Sequence, residues 1–247
     1  MHPLICFDMK TWKTKSGYKI IRLLGGRSNV FLLSNAGKNI LIDTSPKVFW
    51  KRLEKRIKSL DIKSIDYLIL THTHYDHAAN SNILKKKYKS LVFVQQNEAG
   101  YLVNGENPVI SSTNTVYKLI IKCLGKSLLK MMKYEPCNYD FLVDSHYDLS
   151  GLGFNAYILH TPGHTIGSMS VIVDDEIALV GDCMFGVFKS SVYPPFAENT
   201  KELIKSWGKL LETDCKLFLP SHGNEKNRRQ LIKDYNKRNK NLMNSLG

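Results

Sequence analysis

The chain has 247 residues, of which 43% are hydrophobic and 10% aromatic, a composition typical of a globular protein and not of a disordered one. Its sequence has no apolar run of the roughly 18 residues that a membrane-spanning helix needs, and its N-terminus lacks the pattern of a signal peptide. Five irregularly spaced cysteines argue against a disulfide framework and favour a reducing compartment. We therefore expect one soluble, cytoplasmic domain over residues 1–247.

The charge of the chain is strongly positive. Lysine and arginine total 35 against 22 acidic residues, which gives a formal net charge of +13. Such a balance attracts anions in general, including nucleic acid, phospholipid head groups and small acidic molecules. Solvated lysines produce the same balance, so the charge is compatible with an anionic substrate but identifies no partner.

The first half of the chain alternates short strands with amphipathic helices, the pattern of an α/β protein. Ser45 and Pro46 predict the start of a helix, as its N-cap and its first residue. Apolar residues then recur at spacings of three and four, which predicts one buried helix face. A further helix is predicted near residues 77–88. The predicted strands of this half are 18–24, 30–34, 39–43, 66–70 and 91–95.

The second half repeats this alternation and predicts two sheets that pack face to face beneath outer helices. Residues 97–148, between the halves, form the least regular region and are predicted to be a variable insert that acts as a lid or pocket wall. Within the insert, five lysines at helical spacing predict a basic amphipathic helix over 116–133. The predicted elements of the second half are strands 154–159, 168–173, 177–180 and 216–219, and helices 201–212 and 225–245.

Three histidines and an aspartate follow one predicted strand within six residues. Side chains at i, i+2 and i+4 of an extended stretch point the same way, so His72, His74 and Asp76 can converge on one spot. His77 begins the next helix and can approach from the side. Imidazole and carboxylate groups at such spacing suit a cation such as zinc. The sequence therefore predicts a metal site here.

Further ligands must come from elsewhere in the chain. His164 lies in HTPGHT, where Pro162 and Gly163 fit the central positions of a type II turn. Asp182 and His222 each come just after a predicted buried strand. Side chains at strand ends are displayed by a rigid scaffold, so these three residues are the candidates that complete the site.

The motifs HTHYDH, TPGHT, GD and SHG, in this order, resemble those of the metallo-β-lactamase superfamily of hydrolases. The resemblance covers nearly the whole chain and implies an αββα sandwich with a binuclear metal site at one edge of the two sheets. It also implies that Asp43 supports the ligands from behind. It assigns the first metal to His72, His74 and His164, the second to Asp76, His77 and His222, and the bridging position to Asp182.

The resemblance further implies two zinc ions, with iron or manganese as alternatives, that share a water molecule and lower its pKa toward neutrality. We expect the resulting hydroxide to attack an ester-like bond of a small substrate, which is a thioester, a lactone or a phosphoester. Asp76 and Asp182 are the predicted catalytic residues. The reaction belongs to the hydrolases, and the substrate pocket is expected to be lined by residues 97–148 and 185–199.

Some details separate the chain from particular branches of the superfamily. Asp182 stands where true β-lactamases carry a cysteine ligand, and Phe185 replaces a tyrosine that is usual in lactonases. Only 25 residues follow His222, too few for the helical domain of glyoxalase II-like thioesterases. Two alternatives stay open: a nuclease of the same fold, which is less favoured, and a metal-binding interaction protein without turnover.

Overall fold

A computed structural model describes residues 9–26, 28–108, 111–113 and 132–244 of the chain. Within these ranges, two β-sheets pack face to face between two layers of helices. The predicted α/β sandwich is therefore confirmed. That residues 1–247 form a single domain stays a prediction.

The first sheet is built from the N-terminal half of the chain and, in the described ranges, has seven strands in sequence order. Strands β1 to β4 form an antiparallel meander, and β4 to β7 run parallel. Parallel neighbours need crossover connections, and helices supply some of these. The strands are β1 (Thr11–Lys13), β2 (Lys19–Leu24), β3 (Val30–Asn35), β4 (Lys38–Ile42), β5 (Tyr67–Ile69), β6 (Leu91–Gln95) and β7 (Phe141–Val143).

The second sheet comes from the C-terminal half, and its six described strands follow the order β13-β12-β11-β10-β9-β8. Its β11 and β12 pair in parallel, whereas the other neighbours pair antiparallel. The strands are β8 (His146–Asp148), β9 (Ala156–His160), β10 (Met169–Val173), β11 (Ile177–Gly181), β12 (Leu217–Pro220) and β13 (Lys226–Asn227).

Alternation along the strands divides the core into three layers. Leu33 packs between the sheets, whereas its neighbour Leu32 packs beneath the outer helices of the first sheet. In the second sheet, Val171 faces inward and Ile172 faces the outer helices. Because successive strand side chains point to opposite faces, apolar residues at consecutive positions bury both faces of each sheet.

The helices cover the outer faces of the sheets. Leu53 and Ile57 bury one side of α1 against the first sheet, and Leu203 and Trp207 bury α5 against the second. Asn199 caps α5, since its Oδ1 accepts hydrogen bonds from two backbone N–H groups of the first turn. The described helices are α1 (Trp50–Ser59), α2 (Tyr75–Ala78), α3 (Ser81–Tyr88), α4 (Ala99–Asn104), α5 (Thr200–Glu212) and α6 (Arg228–Asn244).

The first predicted helix begins later than expected. Ser45 has a φ of 68° and is not the N-cap; a short 3-10 turn over Lys47–Phe49 precedes α1, which begins at Trp50. The side chain of Asn80 donates to the carbonyl oxygens of Thr44 and Ser45 at 2.9 and 2.8 Å. These bonds hold the segment in a non-helical conformation, so the prediction of Ser45 as cap was wrong.

Two other regions differ from the sequence prediction. The expected helix near 77–88 is divided into α2 and α3, and the irregular insert contains α4, β7 and the three residues of β8. The predicted basic helix over 116–133 lies outside the described residues except for its last two positions. In the part of the chain that the structure describes, no helix combines the length and apolar character needed to cross a bilayer.

Candidate metal centre

The seven predicted ligands all lie in segments that follow strand ends, and the fold brings these segments together. Two come directly after β5, two lie in α2, and the remaining three follow β9, β11 and β12. Five of the seven side chains are buried, and those of Asp76 and His222 are partly exposed at 29% and 15%. In order along the chain they are His72, His74, Asp76, His77, His164, Asp182 and His222.

His72, His74 and His164 form the first group. One ligand atom from each lies within 4.8 Å of those of the other two, and His74 Nδ1 is 3.1 Å from His164 Nε2. Two nitrogen ligands bound to a tetrahedral zinc ion at about 2.0–2.1 Å are about 3.4 Å apart. The spacing of these nitrogen atoms is therefore close to what one metal ion requires.

Asp76, His77 and His222 form the second group, again with donor atoms within 4.8 Å of one another. Asp76 Oδ2 lies 3.3 Å from His222 Nε2 and 3.7 Å from His77 Nε2. The grouping follows the assignment that the resemblance implied for a second metal.

Asp182 lies between the two groups. Its Oδ2 is 3.6 Å from His164 Nε2 in the first group and 3.3 Å from His222 Nε2 in the second, while its Oδ1 is 3.7 Å from His77 Nε2. Asp182 Oδ2 thus lies near both groups, and a further set of donor atoms within 4.8 Å, from His72, His77 and Asp182, joins them. A carboxylate in this position could contact two ions.

Asp76 does not lie where alternation along an extended stretch predicts it, so that prediction was wrong. The extended conformation ends at His74, which has φ −62° and ψ 151°, and α2 begins at Tyr75. Asp76 therefore lies in the first turn of a helix, beside His77, and faces His222 instead of converging with His72. The helix start is what separates the motif into two groups.

Each of three ligand histidines has a polar partner on the ring nitrogen that faces away from the centre. His77 Nδ1 lies 2.8 Å from Asp43 Oδ2, His72 Nδ1 lies 3.1 Å from Thr71 Oγ1, and His164 Nδ1 lies 2.9 Å from the carbonyl oxygen of Phe196. Metal-bound histidines almost always have such a partner, which fixes the orientation and tautomer of the ring.

Asp43 is a fully buried carboxylate at the back of the centre. Besides facing His77, it accepts hydrogen bonds from the backbone N–H of Thr71 at 2.8 Å and from the hydroxyls of Thr71 and Ser221 at 2.9 and 3.0 Å. Its own φ is 62°, in the left-handed region that aspartate tolerates better than most residues. Asp43 thus connects the segment of His72 to that of His222.

Glu98 is a second fully buried carboxylate, and the sequence analysis missed it. Its Oε2 accepts from the backbone N–H and the hydroxyl of Thr73 at 2.6 and 2.7 Å. Its Oε1 accepts from the Thr165 hydroxyl and from the backbone N–H of Gly167. Thr73 and Thr165 are next to ligands in sequence, so Glu98 ties together the two segments of the first group. A single glutamate at the start of a helix carries no sequence signal for such a role.

The turn that carries His164 requires glycine. Gly163 has a φ of 134°, in a region that L side chains rarely adopt. This φ differs from the value of about +80° in an ideal type II turn, so the type II turn stays a prediction. A Cβ at this position would lie 2.3 Å from the backbone nitrogen of Leu203 in α5. The absence of a side chain thus lets the helix approach the turn closely.

Burial and charge divide the histidines into two kinds. Burial, together with the neighbouring histidines, holds the pKa of His72 well below its usual 6.5, and burial with His164 lowers the pKa of His74 to about 3. These rings are therefore neutral and have lone pairs available, the form that binds metal ions.

The carboxylates have the opposite effect on the other two rings. Burial favours neutral His77, but Asp76 and Asp43 outweigh it and raise the pKa of His77 to about 9. Likewise, Asp182 and Asp76 overcome burial and raise the pKa of His222 to about 11. Burial would raise the pKa of Asp76, yet His77 and His222 lower it to about 2. The carboxylates thus favour a positive charge at the position of His77 and His222.

Several buried polar atoms at the centre have no hydrogen-bond partner among the described residues. At the centre these are His72 Nε2, His77 Nε2 and Asp182 Oδ1. His74 faces His164 with its Nδ1, so its unpaired Nε2 is not counted with them. A buried polar atom left unpaired costs about 1–3 kcal/mol. Nitrogen and carboxylate donors that lack partners and face one another fit a divalent cation.

Five of the seven ligands form the floor of a cavity of about 860 Å³, which is open to solvent and has the size of a small-molecule site. They are His74, Asp76, His164, Asp182 and His222. Met132 belongs to the predicted insert, and Phe185 and Phe196 belong to the predicted loop 185–199. The segment before α1 also contributes to the wall, which the sequence analysis did not predict. The wall consists of Pro46, Val48, Phe49, Tyr75, Met132, Phe185 and Phe196.

Comparison with known proteins agrees with this architecture. Residues 23–222 match the sequence model of the metallo-beta-lactamase superfamily. A probable metallo-hydrolase of Methanocaldococcus jannaschii is 29% identical over 161 residues, which cover 65% of this chain and 69% of that protein. A hydroxyacylglutathione hydrolase of Haemophilus influenzae is 28% identical over 174 residues, covering 68% of this chain and 71% of that one.

Solved structures show the same fold. An archaeal metallo-beta-lactamase superfamily protein from Sulfolobus tokodaii has a TM-score of 0.60 at 22% identity, covering 87% of this chain and 84% of that one. A metallo-beta-lactamase from Legionella gormanii has a TM-score of 0.58 at 18% identity, covering 92% and 82% of the two chains. Because the family match spans most of the sequence and includes all seven candidate ligands, the chain belongs to the metallo-beta-lactamase superfamily.

Proposed function

We propose that the chain is a binuclear metal-dependent hydrolase that cleaves an ester-like bond of a small molecule, namely a thioester, a lactone or a phosphoester. The observation that carries this proposal is that two groups of donor atoms share Asp182 on the floor of an open cavity. Relatives described as metallo-hydrolases support a hydrolytic activity.

In this proposal one ion would be held by His72, His74 and His164. The other would be held by Asp76, His77 and His222, and Asp182 would contact both. Two zinc ions suit this set of nitrogen and carboxylate donors, and iron or manganese would suit it as well. Such a pair of ions supplies a nucleophile at neutral pH by lowering the pKa of water, and it stabilises the charge that develops on the substrate.

Residues behind the metal centre orient the ligand side chains, and Asp76 is placed to move a proton. Asp43, Thr71 and the carbonyl of Phe196 fix three ligand rings, so the donor atoms are in place before the substrate arrives. Asp76 is partly exposed to the cavity and has a lowered pKa of about 2. Its carboxylate is therefore ionised, as a metal ligand must be, and its other oxygen is the proposed acceptor of the proton that passes to the leaving group.

The test begins with elemental analysis of the purified protein, followed by hydrolysis assays on chromogenic carbonyl and phosphoryl esters. We expect about two metal ions per chain, loss of hydrolysis after treatment with a chelator, and recovery when zinc is added back. Asp182→Ala should abolish hydrolysis and lower the metal content. His146→Ala, which removes a histidine from strand β8, is the matched control and should retain both.

Full hydrolysis by a folded Asp182→Ala variant would contradict the proposal. Stoichiometric metal binding without turnover of any ester would instead favour the metal-binding interaction protein.

A nuclease of the same fold is the second candidate, and the observation in its favour is the net charge of +13. Binding to a single-stranded RNA should then weaken steeply as the salt concentration rises, because phosphate contacts release counterions. Binding that is absent, or independent of salt, argues against this candidate.

A further inference from the structure

The charge of the cavity differs from the charge of the whole chain. The sequence has 35 lysines and arginines, yet none of the described residues that line the cavity is a lysine or an arginine. Asp76 and Asp182 are the acidic side chains among them, and they lie on the floor with the histidines. The described wall therefore offers no cationic group to a phosphate or a carboxylate of a ligand.

The wall is apolar, and part of it is exposed to solvent. Val48 and Phe196 are 78% and 39% exposed, and the ring of Phe185 lies 5.2 Å from that of His222, at the edge of the metal centre. Phe188, itself 48% exposed, has its ring 5.9 Å from that of Phe185 and continues the apolar surface outward. Exposed apolar surface that adjoins a cavity is typical of a binding site for an apolar group.

We propose that the substrate is a neutral carboxylic acyl compound with an apolar acyl chain of medium length, and not a phosphoester; this inference rests on the proposed hydrolase function. The acyl chain would pack against Val48, Phe49, Phe185 and Phe196, with its carbonyl group directed to the floor. Sites that bind a phosphoryl group usually add arginine or lysine donors to their metal ions, and the described wall has none. A cavity of about 860 Å³ has room for the whole acyl group.

The reaction that follows is a hydrolysis in which one water molecule is consumed. The bond between the carbonyl carbon and the leaving oxygen or sulfur breaks, and a new C–O bond forms to the oxygen of water. The hydrogen atoms of water are shared between the released acid and the leaving alcohol or thiol. No oxidant or further reactant is needed.

The test compares p-nitrophenyl acetate, butyrate and octanoate with p-nitrophenyl phosphate and bis(p-nitrophenyl) phosphate, using the metal-loaded protein. Each methylene that becomes fully buried contributes about a fourfold gain in binding. We expect kcat/KM for the octanoate to exceed that for the acetate at least tenfold, and both phosphoesters to react more slowly than the acetate. A flat profile, or faster phosphoester hydrolysis, would overturn the inference while leaving the hydrolase function intact.

Substitutions in the wall test whether these residues cause the preference for the octanoate over the acetate. Val48→Ser and Phe196→Ser should each reduce the octanoate-to-acetate ratio at least threefold. Ile232→Ser is the control, because Ile232 is an apolar residue on helix α6 that is 40% exposed, against 39% for Phe196. The control should leave the ratio unchanged. An unchanged ratio in both wall variants would place the acyl group elsewhere and overturn the inference.

A binding measurement separates the inference from the proposed activity. By calorimetry, the metal-loaded protein should bind octanamide, which is neutral and resists hydrolysis, at least tenfold more tightly than acetamide, and Phe196→Ser should weaken the octanamide complex. Tight octanamide binding without turnover of any ester would support the apolar pocket and contradict the hydrolase function. Equal, weak binding of both amides would overturn the inference even if esters are hydrolysed.

Discussion

Two buried carboxylates, Asp43 and Glu98, lie behind the metal centre and act in different ways. Both are fully buried and both accept several hydrogen bonds. Asp43 faces the ring of His77 directly. The described hydrogen bonds of Glu98 go to Thr73, Thr165 and Gly167, which are neighbours of ligands and not ligands themselves.

Asp43 therefore orients a ligand side chain, whereas Glu98 positions the backbone segments that carry ligands. Asp43 determines which nitrogen of His77 faces the centre and adds negative charge next to it. Glu98 holds two segments at a fixed separation, so that His74 and His164 meet. Loss of Asp43 should therefore affect metal binding first, whereas loss of Glu98 should affect stability first.

The largest effect is expected for Asp43→Asn. The substitution removes the negative charge. It also replaces one carboxylate oxygen by an NH2 group, which would face groups that now donate hydrogen bonds to Asp43. We expect metal affinity or activity to fall about 10–100-fold, measured by competition with a chromophoric chelator and by ester hydrolysis.

The control for this variant is Asp148→Asn, which neutralises an aspartate on strand β8 that accepts hydrogen bonds from Ser150. It should leave metal affinity unchanged. Wild-type affinity in Asp43→Asn would show that Asp43 does not orient a ligand.

A smaller effect on metal binding is expected for Glu98→Gln. The NH2 group of the new amide would face groups that now donate hydrogen bonds to Glu98, so buried donors would lose their acceptor. Each unpaired buried group costs about 1–3 kcal/mol. The free energy of unfolding should fall by that amount in chemical denaturation, while metal affinity falls less than in Asp43→Asn. If Glu98→Gln lost more metal affinity than Asp43→Asn, Glu98 and not Asp43 would be the carboxylate that matters more for metal binding.

The pH dependence of stability gives a sharper test of Glu98. Burial raises the pKa of Glu98 above its usual 4.5, more than its hydrogen bonds lower it. The folded state therefore holds this proton more tightly than the unfolded state, and the stabilisation is complete below pH 4.5 and is lost as the pH rises through the folded-state pKa.

We therefore compare the free energy of unfolding of the wild type with that of Glu98→Gln, both in the presence of a chelator. The wild-type value minus the variant value should decrease as the pH rises from about 4 to 7. An increase over this range would mean that the hydrogen bonds outweigh burial.

The smallest effects are expected when a single donor to either carboxylate is removed. Ser221→Ala removes one donor to Asp43, and Thr165→Val removes one donor to Glu98. Each should reduce the free energy of unfolding by about 0.5–1.5 kcal/mol, because the other donors remain. A loss as large as that of Glu98→Gln from Thr165→Val alone would show that this one bond carries the whole contribution.

Much of the fold could be predicted from the sequence because several of its strands, such as β10 and β11, are buried and largely apolar. The prediction of 91–95 matches β6, and the predicted 201–212 helix differs from α5 by one residue. The start of α1 was missed because Asn80, distant in sequence, bonds to the carbonyl groups near Ser45. Local capping preferences contain no information about such a contact.

The seven candidate ligands were accessible to sequence reasoning because metal chemistry demands particular side chains at particular spacings, and these stand out even when the fold is unknown. The spacing of these residues did not decide which ligands face one another; the family resemblance implied the grouping. Its physical cause is tertiary, because the start of α2 turns Asp76 toward His222. The tertiary structure also decided the apolar wall and the role of Glu98. Ordinary residues such as Val48 and Glu98 acquire their function only from what the folded chain places beside them.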